Sequence, residues 1–160
     1  MLTKNWATNK ATGSSITISL SRDYSYEGEY VMKFEYAETS DGWAGATISK
    51  EVSWEDCDAL QFWTVPDGKQ QKTVIQITAG GNVYEYYMNL NEDYCNAGTE
   101  PVLVTIPFAL FVARDIAGNP AGGLENDKSN ITSIGLWVNA IAGSAAIDAD
   151  NMVKGTVYYD

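Results

Sequence analysis

Short runs of alternating or β-rich residues, each closed by a turn signal, recur along almost the whole chain, and that spacing leaves few folds open. The runs are Ser15–Ser21, Tyr30–Ala37, Trp43–Ser49, Ala59–Val65, Thr73–Ala79, Asn82–Leu90, Val102–Ile106, Ile131–Asn139 and Thr156–Tyr159. Strands of this number and length predict an all-β sandwich, a jelly roll of two antiparallel sheets with one concave. Pro66-Asp67-Gly68 and Gly80-Gly81-Asn82 are the strongest turn signals, so the runs between Ala59 and Leu90 are expected to form a meander. Only Pro107–Asp115 suits a helical turn, and Ala117–Asn130, rich in Gly and Asn, reads as a long loop. With 160 residues, 45% of them apolar, residues 1–160 can bury one core as a single domain.

Successive side chains of a strand point to opposite sides of the sheet, which lets the alternation assign faces. The inward sets are Ala44, Ala46 and Ile48; Ile75 and Ile77; Ile134, Leu136 and Val138; and Tyr84, Tyr86, Met88 and Leu90. The outward sets are then Trp43, Gly45 and Thr47; Gln76 and Thr78; Gly135, Trp137 and Asn139; and Glu85, Tyr87 and Asn89. Two tryptophans thus fall on outward strand positions, where a large apolar ring is costly unless something covers it.

The remaining aromatics read differently. Phe34, Phe62, Phe108 and Phe111 are core residues, Trp54 plugs one end of the sandwich, and Trp63 faces out of the other sheet beneath an N-terminal segment. Trp6, in the polar stretch Lys4-Asn5-Trp6-Ala7-Thr8-Asn9, serves either as a ligand platform or as a packing lid.

Composition removes several function classes. A net charge of −11 repels polyanions, so neither nucleic acid nor an anionic membrane is an expected partner. No apolar run reaches the length of a membrane span, and no signal-peptide pattern precedes Thr3. The sequence therefore reads as a monomeric module taken from a longer secreted precursor. Having no histidine, the chain lacks the means for Ser-His-Asp, Cys-His or His-ligated metal chemistry. Cys57 and Cys95 match no metal-ligand spacing, and no disulfide is expected between them. Most acids lie in loops, which leaves Glu85 as a lone outward carboxylate suited to accepting hydrogen bonds.

A flat indole matches the C–H face of a pyranose, while amide and carboxylate side chains engage its equatorial hydroxyls. Trp43 and Trp137 on one sheet, with Gln76, Glu85, Tyr87 and Asn139 beside them, are therefore the expected sugar-binding set, and Trp6 is added as a third ring. Gly45 and Gly135 are expected to let the ligand approach the sheet closely. A few stacked rings imply a Kd of roughly 10 μM to 1 mM.

The order of segments resembles bacterial carbohydrate-binding modules of family 11, with families 65, 23 and 27 as near relations. The landmarks are Tyr30-Val31-Met32-Lys33-Phe34-Glu35-Tyr36, Asp41-Gly42-Trp43-Ala44-Gly45-Ala46, Trp54 followed by Asp58-Ala59-Leu60-Gln61-Phe62-Trp63, Val104-Thr105-Ile106-Pro107-Phe108, Ile134-Gly135-Leu136-Trp137-Val138 and Gly155-Thr156-Val157-Tyr158-Tyr159-Asp160. The resemblance implies one sheet built from the strands at Trp43–Ser49, Ile131–Asn139, Thr73–Ala79 and Asn82–Leu90, with the ligand lying across it. It also implies polar contacts from Arg114 and Asp115. The calcium site such modules often build from their two ends is matched only at Asp160, and no cofactor is required. The function implied by the resemblance is non-catalytic binding of a plant cell-wall polysaccharide, a β-1,4- or mixed-linkage glucan or xyloglucan, for a linked glycoside hydrolase. The rivals are a β-mannan-binding module, a small jelly-roll glycosidase and a structural sandwich domain.

Overall fold

The computed structural model describes residues 5–114 and 123–160. Eleven strands are arranged in two antiparallel sheets: β1 (Trp6–Lys10), β2 (Ser15–Ser21), β3 (Val31–Thr39), β4 (Trp43–Val52), β5 (Ala59–Val65), β6 (Lys72–Ala79), β7 (Asn82–Tyr87), β8 (Val102–Pro107), β9 (Val112–Ala113), β10 (Ile131–Asn139) and β11 (Met152–Tyr159). The first sheet runs β1-β4-β10-β6-β7-β9, and the second β2-β3-β11-β5-β8. The expected all-β sandwich is the observed architecture.

Alternation builds the core between the sheets. Ala44, Ala46, Ile75, Ile77, Leu136 and Val138 of the first sheet meet Met32, Phe34, Val104, Ile106, Val153 and Val157 of the second, all of them buried. Removing this much apolar surface from water is the main favourable term of the fold. Phe108 and Phe111 complete the core, and Trp54 stacks on Phe108 with ring centroids 5.5 Å apart, closing one end of the sandwich as expected. Trp63 faces out of the second sheet beneath Tyr26, again as expected. Cys57 and Cys95 are exposed free thiols.

Several expectations are corrected. The segment Ala59–Leu90 is not a meander: β5 belongs to the second sheet, and Pro66-Asp67-Gly68 carries the chain across to β6 in the first. Only β6 and β7 form a hairpin, whose Gly80-Gly81 turn has φ of 56° and 82°, the backbone that a two-residue hairpin requires. The run to Leu90 ends as a strand at Tyr87, and a 3-10 turn at Met88–Leu90 turns Leu90 out to 69% exposure. Within the stretch read as a loop, Leu124–Asp127 forms one helical turn, α1, anchored by the buried Leu124. Pro107–Asp115 does hold a turn, at Phe108–Leu110, followed by the short β9.

Candidate functional site

The register of the first sheet sorts its outward residues into rows, because directly paired residues in an antiparallel sheet share a face. One row reads Asn9, Gly45, Trp137, Val74 and Tyr87, from β1 across β4, β10 and β6 to β7. The row on one side holds Trp43, Asn139 and Lys72; that on the other holds Ala7, Thr47, Gly135, Gln76 and Glu85. With strands about 4.8 Å apart, the distance from β4 to β7 is roughly 14 Å. Most of these residues enclose a trough of about 380 Å³, lined by Asn9, Trp43, Gln76, Glu85, Trp137 and Asn139, with Val74 and Arg114.

The two indoles have different attitudes. Trp137 lies flat on the sheet over two glycines: a Cβ built on Gly45 would fall 2.0 Å from its Cε3, and one on Gly135 would fall 2.7 Å from its Nε1. Trp43 is tilted against it by 60°, with ring centroids 5.7 Å apart. Trp137 forms the floor and Trp43 a wall. The expectation that Gly45 and Gly135 admit the ligand to the backbone is therefore corrected, since the Trp137 ring itself fills the space they leave. Both glycines are buried beneath it.

The opposite half of the trough is polar and cross-linked. Gln76 Nε2 donates to Glu85 Oε1 at 3.0 Å, and the Tyr87 hydroxyl donates to Glu85 Oε2 at 3.2 Å. Arg114 Nε stands 3.8 Å from Oε1. Burial and the Glu85 charge both raise the Tyr87 hydroxyl above its ordinary pKa, which keeps it a donor. Lys72 Nζ sits over the Tyr87 ring, 3.9 Å from its centre, in a cation–π contact. The Glu85 carboxylate is thus fixed in position, with its remaining lone pairs open to donors.

Six of the seven residues expected from sequence, Trp43, Trp137, Gln76, Glu85, Tyr87 and Asn139, lie on this face. Trp6 does not. It pairs with Ile48, so it takes the inward side of β1, where it packs against the core and lines an apolar gap with Met32, Phe62 and Leu136. The packing-lid reading of that ring is the observed one. Arg114 stands at the trough, whereas Asp115 lies outside the described residues. Asn9, Val74 and Lys72 were not anticipated. Parity on β6 signals Val74 and Lys72, but the face of Asn9 depends on the pairing of an edge strand.

Asp160 Oδ2 already accepts the backbone N–H groups of Tyr26 and Glu27, and no group of three metal-ligating side chains occurs among the described residues.

A family model described as a carbohydrate binding domain (family 11) matches residues 2–152. No curated protein matches the chain. Among solved structures, the family 11 carbohydrate-binding module of Clostridium thermocellum, in complex with a β-1,3-1,4-mixed-linked tetrasaccharide, is 17% identical with a TM-score of 0.65, over 98% of this chain and 85% of that one. A solution structure of a family 11 module described with dynamics and binding studies is 20% identical with a TM-score of 0.66, over the same shares. A β-1,2-glucanase from Parabacteroides distasonis is 13% identical with a TM-score of 0.62, over 98% of this chain but 22% of the enzyme. At these identities the structural matches establish the fold.

Proposed function

The chain belongs to the family 11 carbohydrate binding domains, and from that premise we propose that it binds a neutral plant β-glucan, of mixed or β-1,4 linkage, in the trough on the first sheet, without cleaving it. The observation that carries this reading is the pairing of Trp137, flat over Gly45 and Gly135, with a pre-bonded Gln76–Glu85–Tyr87 network. A sugar stacks its C–H face on Trp137 and its edge against Trp43, while Asn139, Gln76 and Glu85 take the hydroxyls. Because these polar groups are held in place before the ligand arrives, little ordering is left to oppose binding. The mixed-linkage tetrasaccharide bound by the Clostridium thermocellum module supports a glucan backbone.

The lining also favours binding over hydrolysis. Glycoside hydrolysis uses two carboxyl groups about 5–10 Å apart, and Glu85 is the single acid lining the described trough. The native setting we infer is a single module, residues 1–160, in an extracellular protein with a linked glycoside hydrolase, which it holds at high effective concentration on its polymer. Xyloglucan and β-mannan are the alternative ligands.

Affinity electrophoresis in gels of mixed-linkage β-glucan, xyloglucan and β-mannan tests the assignment. The glucan gel is expected to retard the protein, Trp43→Ala and Trp137→Ala each to lose most of that retardation with the fold intact, and no reducing sugar to appear. Migration of both variants with the parent in a gel that retards the parent would refute the site. Release of reducing ends would refute the non-catalytic reading.

A further inference from the structure

A second open depression lies on the opposite side of the molecule. On the outer face of the second sheet, and continuing beside β11 to Val65, Asp67, Lys69 and Thr99, a trough of about 710 Å³ stands against about 380 Å³ for the trough over Trp137. Its floor is set by register. Thr17, Glu35 and Thr156 form one row across β2, β3 and β11, flanked by the row Ser15, Ala37 and Lys154. Tyr158, two residues beyond Thr156 on the same face, rises at one end, and Tyr24 meets it edge-on with ring centroids 5.0 Å apart.

The placement of Tyr24 is built. Its φ of 60° is uncommon for an aromatic residue, and its ring remains 46% exposed. The loop that carries it is tied down at two other points: the Asp160 carboxylate accepts the Tyr26 and Glu27 amides, and the Tyr26 ring stacks on Trp63 at 4.4 Å with planes 16° apart. Strained backbone persists where its surroundings over-determine it, and such positions cluster at ligand contacts.

The charges of the trough cancel. Its lining holds two acids, Glu35 and Asp67, and two lysines, Lys69 and Lys154, for a formal sum of zero in a chain of −11. Lys33 already pairs with Glu35 at 2.9 Å, and Lys154 with Asp148 at 2.8 Å. With Glu35 and Lys154 in ion pairs, Asp67 accepting the Tyr36 hydroxyl and hydroxyls lining the floor, the face suits a neutral polyhydroxylated polymer better than an ion.

We propose that the outer face of the second sheet is a second glycan-binding trough, which stacks a neutral β-glucan chain on Tyr24 and Tyr158 and reads its hydroxyls through Thr17, Glu35 and Thr156. The choice of glucan rests on the reading of the first trough; the existence of the second does not. Two troughs on opposite faces make the domain bivalent, able to bridge neighbouring chains of its polymer.

Amide NMR of the ¹⁵N-labelled protein, titrated with a mixed-linkage β-glucan tetrasaccharide, separates the two faces. Shifts are expected at Gln76 and Trp137 and, at higher ligand concentration, at Thr17, Glu35 and Thr156. In the double variant Trp43→Ala, Trp137→Ala the second set persists with a Kd of roughly 1 mM, and adding Tyr24→Ala weakens it by about tenfold or more. Shifts confined to the first face of the unmodified protein, and unaltered by Tyr24→Ala, overturn the second trough and leave the first standing. Shifts confined to the second face overturn the first reading alone. Shifts on neither face overturn both.

Discussion

Replacing Gly45 with alanine isolates the step on which the first trough depends, the flat seating of Trp137. The alanine Cβ would lie 2.0, 2.3 and 2.6 Å from Cε3, Cδ2 and Cζ3 of that indole. Carbon atoms in ordinary contact are about 3.5–4.0 Å apart, so the ring has to rise or swing by about 1.5 Å. Gly45 has no left-handed backbone, and the change therefore acts through the contact and not through conformation. Overpacking of this kind costs typically about 1–3 kcal/mol. If the displaced ring forfeits about 2 kcal/mol of stacking, Kd rises roughly thirtyfold.

Two measurements check this together: calorimetric titration with a mixed-linkage tetrasaccharide, and near-ultraviolet circular dichroism, which senses the Trp43–Trp137 pair tilted at 5.7 Å. Gly135→Ala should do the same more weakly, since its nearest obstacles are Trp137 Nε1 at 2.7 Å and Thr47 Cγ2 at 3.2 Å. A Gly45→Ala protein that binds within twofold of the parent and keeps its near-ultraviolet spectrum would refute the reasoning.

Two further outcomes concern the second sheet. Glu38 is fully buried, and burial pushes its pKa up to about 9 from an ordinary 4.5, outweighing the Ala44 backbone N–H that favours the charged form. The folded state therefore holds a proton that the unfolded chain releases, and stability should fall as pH rises from about 4.5 to 9, by about 1.4 kcal/mol per unit where this group dominates. Glu38→Gln should flatten that slope in denaturant titrations between pH 5 and 9, and an unchanged slope would contradict the assignment. At Gly155 an added Cβ would fall 2.0 Å from Asp67 Oδ2 and 2.5 Å from the Tyr36 hydroxyl, which itself donates to Asp67 at 2.6 Å. Gly155→Ala should then cost about 1–3 kcal/mol in urea unfolding, with tetrasaccharide binding at the first trough retained.

Much of the candidate site is visible in the sequence because a strand alternates with period two. Once Ala44, Ala46 and Ile48 are recognised as core, Trp43 has no choice but the other face, and the same logic applies to Trp137, Gln76, Glu85 and Tyr87. Local pattern suffices there, since a slip of one residue would bury the polar set and expose the apolar one.

Pairing between strands distant in sequence is not a local property, and the tertiary structure alone decided it. Contact with Ile48 sent Trp6 inward and brought Asn9 to the trough. The crossing of Pro66-Asp67-Gly68 between sheets depended on which partner β5 found, and β8 and β11 took it. Gly45 shows the division most clearly. Alternation places it outward, but only the register that sets it opposite Trp137 reveals that its missing side chain makes room for an indole. A residue's face is dictated by its own strand; what lies against that face is dictated by chain brought in from far along the sequence.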